Sequence, residues 1–453
     1  MIRLLLKLSL PLILCLTILS AAGVVVGRGQ SGDVFTVTSM LPPISDVGIT
    51  MIDAGKRLRL PVDLPIRGVR DITLSPDGRR ALLLSGGVQV RLHIYDLLTG
   101  EMYSAPDTYS LVTTPFSQDP QPEWSPDSRY VTFLNAFIPG QDAQGLYVMD
   151  FSARTTTRLH QITVAINWAQ DNQRLAFAAD GDVYVANILT GNVTNSTQDN
   201  RWHRLPSWAY DSSLIFAGED FDNDRSTIFR LLPEETVDSA QELQDITPDF
   251  QAANAPMLSP DGGWMTFTGW RDNQPQLYNM FLSTGEIYPL DIGFQLRDGE
   301  DHFVSWSPDS ESLLIGRNIQ GTGRVSVRLS TPQGAVDTEA LDEIYFIGWG
   351  VDSEYVMYSI ADGRSGVFRL NLYLARVSDL NDTARVLISD AEFTQPIWGQ
   401  DAGSLAYILR ETRTQASRSS AIFTSRLFAM TVDGGGQYLT VPEQYAMSFA
   451  YWE

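Results

Sequence analysis

Cysteine is almost absent: the 453-residue chain has one, Cys15, and none beyond it. No disulfide can brace the bulk of the chain, and thiolate zinc sites, which need several cysteines, are excluded. Histidine is scarce as well. His93, His160, His203 and His302 are the four present, and no two share a metal-ligand spacing. Positive charge is also short. Residues 1–30 carry three of the 32 Lys and Arg and none of the Asp and Glu, so the remainder sets 29 basic against 54 acidic side chains, a net charge of −25. A surface this acidic repels nucleic acid and anionic lipid, so no nucleic-acid partner is expected. Linkers and low-complexity tracts are missing too. Glycine and proline together number 58 and are spread evenly, which suits many turns and no long linker. The least structured stretch is 411–420, rich in Ser, Thr and Arg, which reads as an insertion within the last repeat.

Long apolar runs are confined to one place. Arg3 and Lys7 precede an uncharged run from Leu8 to Val26. A basic start and an apolar core make an export signal, with Ser20-Ala21-Ala22 as an acceptable cleavage site. The run also reaches ~19 residues, enough to stay in a bilayer as an anchor. Residues 1–30 are therefore read as a signal peptide or N-terminal membrane anchor, and 31–453 as one domain. The domain is expected outside the cytoplasmic membrane: periplasmic, on the cell surface or secreted. Leu12-Ile13-Leu14 before Cys15 lacks the small residues that precede a lipidated cysteine.

What is abundant is repetition. Asp77, Asp127, Asp171, Asp211, Asp261, Asp309, Asp352 and Asp401 recur at intervals of 50, 44, 40, 50, 48, 43 and 49 residues. Four sit in an intact Ser-Pro-Asp, as in Leu74-Ser75-Pro76-Asp77 and Trp306-Ser307-Pro308-Asp309. Six tryptophans, Trp124, Trp168, Trp208, Trp306, Trp349 and Trp398, lie three residues before a repeat aspartate. A period of this length filled with short apolar runs marks an array of small sheets. The aspartates read as turn formers, because an Asp side chain accepts hydrogen bonds from backbone amides just ahead. The tryptophans read as packing between units.

Within each unit a short first run ends at the tryptophan and the aspartate turn follows. A second run comes next, as in Val131–Leu134, Leu214–Ala217 and Trp264–Phe267. A third, aromatic-rich run follows a polar loop, as in Leu146–Met149 and Ile228–Leu231, and a weaker fourth closes the unit, as in Thr284–Tyr288. Four short strands with period-two patterning make one antiparallel sheet, which must stack on its neighbours to bury both faces. The expected fold is all-β: an eight-bladed β-propeller of four-stranded antiparallel blades. Gly48–Leu60 resembles a third and fourth strand, and Trp452 stands where another first strand would end. If these share one sheet, a split terminal blade closes the ring and the count is nine.

The units resemble the PD40, or WD40-like, repeats of the TolB family, which run roughly Pro-x-Trp-Ser-Pro-Asp-Gly, Ile-Ala-Phe and Ile-Tyr-Val-Met-Asp. Trp124-Ser125-Pro126-Asp127, Val131-Thr132-Phe133 and Leu146-Tyr147-Val148-Met149-Asp150 carry the resemblance, which covers nearly all of the chain after residue 45. It implies a propeller and leaves function open, since such repeats occur in export-linked binding proteins and in the propeller domains of hydrolases. TolB has a separate α/β domain before its propeller. The ~45 residues between the signal and the first full repeat are too few for one, so TolB's partner contacts are not carried over.

No catalytic, cofactor-binding or metal-binding set stands out. Gly363-Arg364-Ser365-Gly366 has the wrong spacing for a nucleophile elbow and reads as a hairpin turn. His93 alternates within a strand and reads as packed or at a rim. His302, just before the strand ending at Trp306, is expected near a channel mouth and is the histidine to examine. Glu219-Asp220-Phe221-Asp222-Asn223-Asp224 has the alternating oxygens calcium prefers. Arg225 replaces the required glycine, however, and Leu231 the bidentate glutamate, so a solvated hairpin loop fits better. Asn192-Val193-Thr194, Asn195-Ser196-Thr197 and Asn381-Asp382-Thr383 fit glycosylation sequons, which matter only in a eukaryotic secretory context.

Two functional readings follow. The first is a non-enzymatic scaffold that binds a protein or a carbohydrate outside the cytoplasmic membrane, with a tether through residues 8–26 if these are retained. The alternative is a propeller hydrolase or lyase whose carboxylates converge from several blades at the channel mouth, with calcium in one variant. Several carboxylates and a histidine within hydrogen-bond reach would favour the enzyme.

Overall fold

The computed structural model describes the backbone between residues 26 and 449, apart from 29–33, 42–45, 54–57, 63, 78, 87–88, 112–121, 137–142, 162–163, 222–224, 233–242, 291–301, 320–323, 335, 351, 362–369, 381–383, 394–396, 399–403, 415–420, 432–435 and 438–445. Side chains are described for a smaller set, between 64 and 386. Every element within these limits is a strand. Six four-stranded antiparallel sheets follow one another along the chain, and a 12-stranded sheet takes the remainder. The architecture is that of a β-propeller, with strands in sequential order within each four-stranded sheet.

Each strand forms where the alternating apolar runs lie. The second runs fall in Arg80–Gly86, Tyr130–Asn135, Arg174–Ala179, Leu214–Asp220 and Trp264–Arg271, with the third runs antiparallel beside them. Directly across this pair sits a recurring aromatic couple: Phe133 and Tyr147, Phe177 and Tyr184, Phe267 and Tyr278, Tyr358 and Tyr373. Their rings stack at centroid distances of 5.4, 5.4, 5.7 and 5.2 Å. Cross-strand aromatic pairs of this kind contribute roughly 0.2–1 kcal/mol each relative to alanine.

The core lies between sheets. Trp168 and Phe177 pack against Tyr130 and Leu134 of the sheet before, and Trp208 and Phe216 against Val183 and Val185. Phe250, Phe267 and Met280 pack against Ile215 and Ile228. The first strands stand at the inner edge, where successive sheets come closest. There the Trp208 indole N–H donates to the Asn167 carbonyl at 3.1 Å, and the Trp349 indole to the Ser305 carbonyl at 3.1 Å. The fourth strands, such as Asn192–Asn195 and Glu286–Pro289, are the more exposed rim.

Among the described residues the repeat aspartates are turn formers, as expected, and Asp401 lies outside them. Asp77 Oδ1 accepts the Ser75 hydroxyl at 2.6 Å and the Arg79 backbone N–H at 3.0 Å, and Asp127, Asp261 and Asp309 repeat both contacts. The residue after the aspartate adopts positive φ: 62° at Ser128, 60° at Asn172, 65° at Ser310 and 61° at Ser353. Its side chain then reaches the preceding repeat. The Asp77 N–H donates to Ser128 Oγ at 3.0 Å, Asp127 N–H to Asn172 Oδ1 at 2.9 Å, Asp261 N–H to Ser310 Oγ at 3.1 Å, and Asp309 N–H to Ser353 Oγ at 3.0 Å. Gly262 has no side chain to offer, and the Tyr210 N–H donates to its carbonyl at 3.1 Å instead. A Cβ at Gly262 would lie 2.6 Å from that nitrogen.

Three details differ from the sequence reading. Gly48–Leu60 does fall in the third and fourth strands of a sheet, Asp46–Asp53 and Leu58–Val62, but that sheet's first and second strands are Val26–Arg28 and Val34–Leu41. Among the described residues the N-terminal sheet is thus built from its own segment; Trp452 lies outside them. Residues 411–414 are not part of an inserted loop: they extend the strand Ser404–Thr414 and pair with Ala421–Thr424. Alternating Thr412 and Thr414 supply the β-branched positions a strand favours. Finally, Val336–Trp349 is one 14-residue strand that pairs with Arg324–Ser330 through its first half and with Tyr355–Ala361 through its second. It serves as fourth strand of one repeat and first strand of the next.

The turn-to-turn bonds can be tested singly. Ser310→Gly keeps the left-handed backbone and removes the acceptor, and is expected to cost about 0.5–1.5 kcal/mol in urea unfolding. Gly262→Ala is expected to cost more, because the new methyl meets backbone at a φ of 71°.

Candidate functional site

The inner strands bring several polar side chains to the loop end of the fifth sheet, where the strand Trp202–Trp208 begins. Ser196 to Arg201 connects the fourth sheet to this strand. Its centre is a buried pair: His203 Nε2 and Asp199 Oδ1 are 2.8 Å apart, with side chains 0% and 1% exposed. A carboxylate only accepts, so Nε2 carries the proton and Nδ1 is the bare nitrogen. Nδ1 faces Gly218, where an added Cβ would lie 2.9 Å away. Burial lowers the His203 pKa, against the opposing pull of Asp199, so the ring is neutral. Asp199 Oδ1 also accepts the Arg201 N–H at 2.8 Å, and the His203 N–H donates to the Gly181 carbonyl at 2.7 Å. Beside them Asp182 accepts Asn195 Nδ2 at 2.8 Å and the Thr197 hydroxyl at 3.2 Å.

This pair is sealed. It braces a loop and meets no solvent, so it offers no acid–base chemistry to a substrate. Asn195 is equally committed, and Ser196 and Thr197 are fully buried, which takes Asn195-Ser196-Thr197 out of consideration as a glycan acceptor. Asn381 lies outside the described residues.

The histidine singled out from sequence, His302, opens the strand His302–Trp306 and is half-buried opposite Arg317. Its register equals that of His203. Each histidine faces the residue four beyond the leucine that pairs with the tryptophan, Leu214 to Gly218 in one sheet and Leu313 to Arg317 in the other. His93 is packed, as expected: Nε2 lies 2.7 Å from Ser85 Oγ and Nδ1 2.7 Å from Ser104 Oγ. Burial, helped by Arg91, lowers its pKa to about 4. His160 tilts against Phe177 and Tyr184 at centroid distances of 5.4 and 4.7 Å.

The acidic segment 219–224 is only partly described. Glu219 forms an ion pair with Arg204, which ties up one of the oxygens calcium would need, and 222–224 lie outside the described residues. Among the described residues no group of three or more His, Cys, Asp or Glu is placed to hold a metal. Gly363–Gly366 also falls outside them. Of the remaining carboxylates, Glu123 differs from the rest. It lies next to Trp124 on the inner strand Glu123–Trp124, accessible to solvent yet surrounded by protein, and burial raises its pKa to about 7.

No family model matches the sequence, and no curated protein matches it. Among solved structures, a eukaryotic initiation factor overlays with a TM-score of 0.58 at 11% identity, covering 88% of this chain and 93% of that one. At that identity the likeness concerns the fold alone. An oligogalacturonate lyase from Vibrio parahaemolyticus overlays at 0.43 with 11% identity, over 79% of this chain and 98% of that one. A TolB-like protein from Agrobacterium tumefaciens gives 0.32 with 17% identity, over 53% and 87%. These two overlay too loosely to carry an argument about this chain.

Two of the shifted groups, His93 and Glu123, act in opposite directions with pH. His93, at about 4 when folded and 6.5 when free, leaves the unfolded chain binding more protons between those values. Its contribution is present above pH 6.5 and lost as pH falls toward 4. His93→Gln should therefore flatten the fall in melting temperature over that range. Glu123 holds its proton more tightly when folded, so stability declines as pH rises from 4.5 through 7. Glu123→Gln should raise the melting temperature at pH 8 and leave it unchanged at pH 4.

Proposed function

We propose that the chain is an exported, TolB-like binding propeller, without enzymatic activity of its own, that captures a protein or carbohydrate at the loop ends of its sheets. The observation that carries this reading is the contrast at the fifth sheet. The one close histidine–carboxylate contact described there is closed to solvent, whereas aromatic side chains stand open beside it, Trp202 at 48% and Phe221 at 69% exposure. Exposed aromatics on a rigid scaffold are what recognition surfaces use, because they bring large contact area with little loss of freedom on binding. The apolar N-terminal run, Leu8 to Val26, supports export and a tether to the membrane. The PD40-like pattern of Trp124-Ser125-Pro126-Asp127 supports the kinship with TolB.

Glu123 favours a second reading, a hydrolase or lyase with its site at the channel mouth. A carboxyl that titrates near neutrality on an inner strand can give and take a proton. One experiment separates the two. The purified protein is assayed against glycoside, ester, lactone and peptide substrates, with and without calcium, beside Glu123→Gln. The binding reading expects no turnover by either. Turnover that Glu123→Gln abolishes would replace it with the enzyme.

A further inference from the structure

We infer that the loop end of the fifth sheet is a saccharide-binding platform on which a sugar ring stacks against Trp202. This deepens the binding reading and rests on it. Trp202 is the first residue of its strand and the most exposed tryptophan described. Its indole lies on the tight turn of the preceding sheet. A Cβ on Gly181 would sit 3.0 Å from Trp202 Cε3 and 3.5 Å from Cδ2 and Cζ3, and Gly181 itself has a φ of 91°. Only glycine lets the ring lie down there. The hairpin backbone covers part of the indole, and nearly half of the residue stays open to solvent.

The backbone on both sides of Trp202 is fixed. Arg201 N–H is held by Asp199 and His203 N–H by the Gly181 carbonyl, and the buried His203–Asp199 contact locks the two together. The platform is thus ordered before any ligand arrives, which removes part of the entropic cost of binding. This gives the sealed pair a purpose: it positions Trp202.

Polar groups flank the ring in register. Trp202 lies directly across from Glu219, and Arg204, two residues along the same strand face, forms the ion pair with Glu219. A carboxylate has roughly four acceptor sites and a guanidinium five donors, so the pair keeps capacity for further hydrogen bonds. Two residues beyond Glu219, about 6–7 Å along the chain, Phe221 offers a second exposed aromatic at the hairpin tip. An aromatic face edged by a donor–acceptor pair fits the pyranose ring. Its C–H face is apolar and weakly positive, matching the negative face of the indole, and its hydroxyls both donate and accept. A nucleotide would bring phosphate into a strongly negative field. A purely apolar peptide would leave the Arg204–Glu219 pair without new partners.

The test is saturation-transfer NMR and calorimetry on the whole protein with neutral tetrasaccharides of glucose, mannose, xylose and N-acetylglucosamine. At least one is expected to bind, at least tenfold more weakly to Trp202→Ala and within a few-fold of wild type to Trp202→Phe. Glu219→Gln should weaken binding while keeping the stacking signal. Circular dichroism verifies that each variant folds; Trp202→Phe keeps the test valid if the alanine variant does not. No binding at millimolar saccharide, or binding unaffected at Trp202, overturns the inference. Capture of a protein partner through Trp202 without any saccharide binding also overturns it and leaves the broader binding reading standing. Cleavage of the bound saccharide would instead sink the non-enzymatic reading and leave the platform intact.

Discussion

The hydrogen bond that passes from one aspartate turn to the next is the constraint on which the array depends. The aspartate carboxylate folds its own turn, and that turn presents the aspartate N–H outward. The following repeat accepts it with a side chain that stands on a left-handed backbone, as at Ser128, Asn172, Ser310 and Ser353. Two demands meet at one position. Glycine satisfies the backbone and provides no acceptor, whereas serine and asparagine satisfy both, and the bond offsets the cost of positive φ. Fixing one end of neighbouring sheets in this way leaves the opposite end free to vary. The irregular spacing of the aspartates, 40 to 50 residues, is taken up by the other loops without disturbing the stack.

Scarce basic residues are used at the same joints. Arg174 lies over Trp208 of the next sheet at 4.8 Å, and Arg80 over Phe151 at 4.8 Å while donating to the Ser128 carbonyl. Arg129 and Arg79 close the turns onto Asp150 and Asp96. Arginine suits this because its planar cation stacks on rings and still donates in plane. These arginines serve the joints and are few beside the 54 Asp and Glu of the chain.

The strands, the tryptophan slots and the aspartate turns were legible in the sequence because each recurs and each has a local cause. The N-terminal sheet was half-legible: Gly48–Leu60 matched the third and fourth strands of other repeats, but Val34–Leu41 carries no aspartate anchor to announce it. The acceptor role of Ser310 was hidden, since serine after aspartate looks like any turn residue until the next repeat is placed beside it. At the candidate site the sequence pointed to His302 and missed His203, although both occupy one register. What distinguishes His203 is Asp199, four residues earlier, in a loop whose path sequence alone does not reveal. Trp202 left a partial signal: six of the ten tryptophans keep the slot three residues before a repeat aspartate, and Trp202 is one of the four that do not.

That departure bears on where recognition can evolve. The turn end of each sheet is committed, because a change there breaks a bond to the neighbouring repeat as well as its own turn. The loop end also carries a bond between sheets, from the His203 N–H to the Gly181 carbonyl, but that bond joins backbone to backbone and leaves the side chains there open to change. A bulky aromatic placed at this end still needs anchoring, or its rotamer freedom would be lost on binding and weaken the complex. The fifth sheet supplies that anchor from an interior pair, His203 and Asp199, whose own chemistry is shut away. An interior histidine and aspartate would ordinarily suggest catalysis. Here their burial, the neutral ring and the bare Nδ1 against Gly218 make them a brace, and the exposed chemistry belongs to the residue between their contacts.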